Sequence, residues 1–303
     1  MNNNIPQIEA TELIDLNANN GVSNYARDHL ARYLEIDTLE AEDILFTNGA
    51  DAAIHAISQT YFQDRDIAYL DLNYRYATEL ITKKALASTE IRTVRDFEKG
   101  ERNLEEMPNK IDILYITNPD NRFGLLINRE RMQSISLETI RRGAICIIDE
   151  AYMDYAPNHS LVKSDMTNTV IVRTFAKFFS LESSRIGYII GDRKIIKKLK
   201  DFIPQYPIAT SSIEKLVETI SIDEKELLVK REQCARKKEK FYRFCQTHKI
   251  PYIHSHTNFV TILIGPKEVS EINFGQHSVK EFTLDNTLYF RVSLDKIEYR
   301  END

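Results

Sequence analysis

The chain has little of several things that would mark a specialised architecture. Across 303 residues there are nine glycines and eight prolines, too few for a collagen-like or linker-dominated protein. Cysteine occurs three times, at Cys146, Cys234 and Cys245. No pair has CxxC spacing, which argues against a disulfide framework and suits a reducing cytosol. Basic residues are not in excess: 40 Lys and Arg stand against 46 Asp and Glu, a net charge of −6. Nothing general therefore invites nucleic acid or an anionic membrane. No apolar run approaches the ~18 residues of a membrane-spanning helix. The opening Met1-Asn2-Asn3-Asn4-Ile5-Pro6 lacks the apolar region of a signal peptide, and the expected location is cytoplasmic. A nucleotide-binding Rossmann domain is disfavoured, because no GxGxxG follows any apolar run.

What is present is an alternation. Short runs rich in Ile, Val and Tyr (Ile67–Asp71, Ile111–Thr117, Ala144–Asp149, Val170–Thr174 and Ile186–Ile190) read as strands buried on both faces. Amphipathic stretches lie among them: Asp51–Phe62, Ala77–Leu86 and Arg129–Arg142, with an earlier one at Tyr25–Leu34. This order predicts an α/β fold with a mostly parallel sheet. Beyond about residue 192 the character changes. Asp223–His248 reads as one or two charged helices with a solvated face. Asn258–Ile264 and Thr287–Leu294 then read as strands of a smaller α+β domain. The expected organisation is an N-terminal segment over residues 1–35, a large domain over 36–195 and a small one over 196–303.

In open α/β sheets ligands collect beyond the carboxyl ends of the strands. Four polar constellations fall there. Asn118-Pro119-Asp120-Asn121 follows one run, and Asp149-Glu150-Ala151-Tyr152 closes the next. Thr174-Phe175-Ala176-Lys177 closes a third, with Arg185 eight residues on. Gly49-Ala50-Asp51 opens a helix. Each has an ordinary reading by itself: a turn asparagine, a helix-capping aspartate, surface cations, a routine loop-to-helix junction.

Their order and spacing give them another. Asn121 to Asp149 is 28 residues, as is Asp149 to Lys177. The series, completed by Arg185-Ile186-Gly187-Tyr188 and Tyr289-Phe290-Arg291-Val292-Ser293-Leu294, resembles fold-type I aminotransferases that use pyridoxal 5'-phosphate (PLP), in the branch of the histidinol-phosphate aminotransferases. The resemblance runs from about Leu16 to Asn302. It implies a mostly parallel central sheet in a large domain and a small, trimmed α+β domain. It also implies that Lys177 forms a Schiff base with the cofactor and moves a proton at the substrate's Cα. Asp149 would keep the pyridine nitrogen protonated, and Asn121 and Tyr152 would donate to the ring hydroxyl. Phosphate would be held by the N–H groups of Ala50 and Asp51 with Arg185 and Thr174. There is no Trp in the chain, so a tyrosine must stack on the ring, by resemblance Tyr74 with Tyr76 next.

For the substrate, the resemblance implies Arg291 as a clamp on the α-carboxylate, with Lys280 where the family tends to place a second arginine. Tyr25 resembles a tyrosine that reaches the neighbouring subunit's phosphate, which implies a homodimer. The partners expected are an amino acid and an oxo acid. Two alternatives share the cofactor: a decarboxylase or a lyase or cyclase, and a PLP-binding protein without turnover. Where relatives commonly read Asn-Pro-Thr-Gly, this chain has Asn121-Arg122-Phe123-Gly124; Arg122 or Phe123 is expected to face the substrate. Twelve residues follow Arg291, so the usual closing helix is expected to be missing.

Overall fold

The computed structural model describes residues 24–37, 39–221, 224–263 and 279–294. A seven-stranded sheet lies at its centre. Its strands are β1 (Ile44–Thr47), β2 (Asp66–Leu70), β3 (Ala87–Ile91), β6 (Ile113–Thr117), β7 (Ile145–Asp149), β8 (Thr169–Thr174) and β9 (Gly187–Gly191), ordered β1-β9-β8-β7-β6-β2-β3. Pairing is parallel from β8 to β3, and β9 alone runs against both of its neighbours. A hairpin of β4 (Thr93–Asp96) and β5 (Glu101–Leu104) stands apart.

Side chains alternate across the sheet, as a pleated strand requires. Phe46, Leu114, Ile116, Cys146, Ile148, Ile171 and Tyr188 pack on one face against α1 (Asn24–Leu34), α4 (Arg129–Arg141) and α6 (Thr210–Ile220). Leu45, Ile113, Tyr115, Ile147, Val170, Val172 and Ile189 pack on the other against α2 (Gly49–Ile57), α3 (Arg75–Lys84) and α5 (Arg193–Leu199). Both faces are covered, so the central strands carry unbroken apolar runs. A π-helical turn, Ser58–Phe62, continues α2.

The expected charged stretch is a single helix, α7 (Glu224–Thr247). Its apolar side, Phe241, Tyr242 and Cys245, packs on a four-stranded antiparallel sheet through Val260, Ile262, Phe290 and Val292. That sheet is ordered β10 (Tyr252–Ile253), β11 (Phe259–Ile262), β13 (Thr287–Ser293), β12 (Val279–Leu284). Among the described residues no helix is long and apolar enough to cross a membrane. The chain after Leu294, where a closing helix was expected to be missing, lies outside the described residues.

Of the two residues expected at the substrate, Arg122 and Phe123, the second is ruled out. Phe123 does not face a substrate: it is fully buried, with Phe97, Phe282 and Tyr289 around its ring at centroid separations of 5.0–5.5 Å. The small sheet covers what the local sequence presents as an exposed turn. The loop has no proline at position 122; the buried Asp120 carboxylate holds it by accepting from the backbone N–H groups of Arg122, Phe123 and Leu125 at 2.6–2.8 Å. A carboxylate taking three such bonds is a strong local template.

Candidate active site

Strand register gathers the constellations. Thr117 lies level with Asp149 across the β6–β7 pair, and Thr47, Gly187 and Thr174 line up across β1, β9 and β8. The ends of β1, β6, β7 and β8 and the start of β9 therefore share one rim. Into one cavity at that rim project Ala50, Asp51, Tyr74, Asn121, Asp149, Tyr152, Thr174, Lys177 and Arg185, with Ile54, Thr117, Ala151 and Ala176.

The cradle end is the start of α2. Asn48 precedes it and makes no side-chain capping bond, so the first-turn N–H groups keep their donors for a ligand. These groups and the helix dipole favour an anion. Gly49 has φ +75°, and a β-carbon there would meet the Arg185 guanidinium at 2.8 Å. A β-carbon on Gly187 would fall 2.6 Å from the Gly49 carbonyl carbon and 2.8 Å from the Ala50 nitrogen. Two glycines thus let β9 and the helix start approach each other. Arg185 reaches over the cradle and pairs with Asp51 at 3.2 Å, both about half exposed. The Tyr74 hydroxyl donates to the other Asp51 oxygen at 3.1 Å. Burial, then the Asp51 charge, pushes the Tyr74 phenol up to about 12. Thr174 donates its hydroxyl to the Ile186 carbonyl and accepts from the Ala176 N–H, both at 3.2 Å.

At the other end Asp149 is 2 % exposed. Burial raises its carboxyl to about 7; the Ala151 N–H, which donates at 3.1 Å, and the nearby Lys177 work against that rise. Tyr115 lies beside it on the same sheet face, its buried hydroxyl without a completed hydrogen bond among the described residues. Lys177 is half-buried, with Nζ 5.5 Å from the centroid of the Tyr152 ring. Tyr152 is held edge-on against Phe259 at 5.4 Å.

Arg291 comes from β13 and stacks over Phe259 at 4.5 Å. Its Nη1 donates to the Asn121 backbone carbonyl and, at 3.0 Å, to Asn121 Oδ1. The oxygen of that amide is therefore engaged by Arg291, and its N–H groups are left to donate toward the cavity. Lys280 is exposed and directly opposite Arg291 in the β12–β13 register, outside the cavity lining. Tyr76 is also outside it, its hydroxyl 3.2 Å from His55 Nδ1. Tyr25 falls in α1, but its side chain lies outside the described residues.

Sequence reasoning missed Tyr115 and a buried cluster of Glu150, Asp154, Ser160 and Arg173 behind the rim. The last of these carries no distinguishing mark in the sequence.

Known proteins resemble this chain in sequence and in fold. The family described as aminotransferase class I and II matches residues 5–290. A histidinol-phosphate aminotransferase of Bacillus cytotoxicus is 28% identical over 262 residues, which cover 81% of this chain and 66% of that protein. The chain thus spans just under two thirds of the length of the curated relatives it matches. Among solved structures, the histidinol-phosphate aminotransferase of Clostridium acetobutylicum aligns with a TM-score of 0.74 at 20% identity, covering 93% of this chain and 85% of that one. The enzyme of that name from Sinorhizobium meliloti, solved with pyridoxal-5'-phosphate, aligns at 0.73 and 18%, covering 88% and 76%. At these identities the structures speak to the fold.

Proposed function

The chain belongs to the class I and II aminotransferase family, and from that premise we propose that it binds PLP and transfers an amino group from an amino acid to an oxo acid. The observation that supports this most is the meeting of Lys177, Asp149 and Arg185 in one cavity with the start of α2. The residues fit the cofactor. The glycine-lined helix start and Arg185 suit its phosphate, and a buried carboxylate with one oxygen bonded to Ala151 suits a protonated ring nitrogen.

When bound, PLP supplies an aldehyde that condenses with amines and a ring that draws electrons from Cα. The chain's residues would do the rest. Lys177 would hold the aldehyde carbon, and its amine would carry the substrate's Cα proton. Asp149 keeps the ring nitrogen charged. Asn121, oriented by Arg291, and Tyr152 would donate to the ring hydroxyl, and Tyr74 would stack on the ring. The helix start of Ala50 and Asp51, with Arg185 and Thr174, takes the phosphate. Arg291 receives the substrate carboxylate, and Lys280 attracts a distal acidic group. A cytoplasmic homodimer completes the proposal.

The test is to give PLP-loaded protein a panel of amino acids, with and without a 2-oxo acid. Formation of pyridoxamine phosphate and a new amino acid is expected. Carbon dioxide release without it would favour a decarboxylase, and failure to bind PLP would defeat the reading.

The cradle gives a sharper expectation. Gly187→Ala places a methyl against backbone that cannot swing aside. Stability is expected to fall by about 1–3 kcal/mol, as for other overpacked sites, and PLP affinity by at least about tenfold. Urea unfolding and a PLP titration measure both.

A further inference from the structure

Behind the rim, on the sheet face opposite the cavity, lies a buried ionic cluster. Arg173 is 2 % exposed, and each nitrogen of its guanidinium has a partner. Nε and Nη2 each lie 2.9 Å from Glu150 Oε2, Nη1 donates to Asp154 Oδ1 at 2.6 Å, and Nη2 donates to Ser160 Oγ at 2.9 Å. Two carboxylates on one guanidinium leave an excess negative charge in the interior. Further donors offset it: the Tyr33 hydroxyl of α1 to Asp154 Oδ1 at 2.6 Å, the Ser160 hydroxyl to Glu150 Oε2 at 2.7 Å, and the Leu161 N–H to Glu150 Oε1 at 3.3 Å. Arg231 of α7 donates to the Asp154 backbone carbonyl at 3.0 Å.

Such a cluster is a poor source of stability, since apolar side chains of similar volume often do as well. What it does is fix geometry. Glu150 follows Asp149 directly, Asp154 stands two residues after Tyr152, and Arg173 stands four before Lys177. The cluster therefore grips, from behind, both chain segments that carry the cavity's reactive groups. A guanidinium spans two carboxylates and a hydroxyl in one plane; an ammonium cannot.

We propose that Arg173 is a positioning residue, which through Glu150 and Asp154 sets where Asp149 and Tyr152 stand relative to Lys177. This rests on the PLP reading above. Arg173→Lys keeps the charge and loses the fork. In the holoenzyme it is expected to lower kcat about 100-fold, the scale of a 1 Å misplacement, with KM for the amino donor little changed. The pH at which the bound cofactor's visible band changes is expected to rise by about one unit. The reason is that Tyr152, displaced, no longer stabilises the ring's oxygen anion. Tyr33→Phe removes only one donor to Asp154. It should move the same two observables in the same direction by less, and it carries the test if the lysine variant does not fold.

Folded variants that bind PLP with unchanged band titration and kcat, or that lose thermal stability alone, would overturn the role of Arg173 and leave the PLP reading standing. Wild-type protein that takes up no PLP would overturn both.

Discussion

Lys177→Ala is expected to abolish covalent attachment of PLP and to lower turnover by about 10⁴-fold or more, since one amine is asked to serve as both nucleophile and proton carrier. The fold should not suffer. The backbone around Lys177 is held without its side chain: Ala176 N–H donates to Thr174, Ser180 N–H to the Lys177 carbonyl, and Leu181 N–H to the Phe175 carbonyl. Phe175, Phe178 and Phe179 anchor the same turn in the core. The thermal midpoint of the cofactor-free variant should therefore stay within a few degrees of wild type, about the effect of a 1 kcal/mol change. Lys177→Arg separates charge from chemistry. Its guanidinium is always protonated and cannot attack a carbonyl, so it should be as inactive as alanine. Activity retained by the arginine variant would mean that position 177 contributes only a charge.

Asp149→Asn is expected to be the next most damaging change, and to act in two opposite ways. A neutral amide cannot hold a proton on a ring nitrogen. Turnover should fall about 10²–10³-fold, the usual cost of losing one preorganised electrostatic partner. Stability of the cofactor-free protein should move the other way at neutral and higher pH. The carboxyl of Asp149 is raised from 3.8 to about 7 by burial. The folded state thus holds a proton that the unfolded state gives up. That proton supports the fold fully below about pH 4, and the support is lost as pH rises from there through about 7. A shift of about three units corresponds to something on the order of 4 kcal/mol at most. The asparagine oxygen can still accept from the Ala151 N–H. Urea unfolding of the cofactor-free proteins from pH 4 to 8 should show wild type losing stability relative to the variant, with the gap widest at pH 8. Parallel curves would show that Asp149 is not buried as described.

The parts of this molecule that sequence exposes best are those with apolar neighbours on every side. β6, β7 and β8 are legible because helices cover both faces of the sheet, so their residues read as unbroken runs. β3, with the sequence Ala-Ser-Thr-Glu-Ile, is an edge strand exposed along most of its length and carries no such mark. β12 alternates charge with Phe282 and Val279 and reads as a polar connection until β13 is paired with it. Asp149 and Lys177 could be singled out because their spacing matches a known family. Arg173, Glu150 and Asp154 could not, since a buried ion cluster is written in the same letters as a solvated surface. Phe123 misled for the converse reason: an aromatic among Asn, Asp and Arg looks exposed, and only the small sheet packed over it says otherwise.

The most direct test is to reduce the PLP-loaded protein with borohydride, digest it and locate the cofactor by peptide mass. A single labelled peptide is expected, carrying the pyridoxyl group on Lys177. Label on another lysine, or protein that turns over amino acids with no reducible link at all, would contradict it.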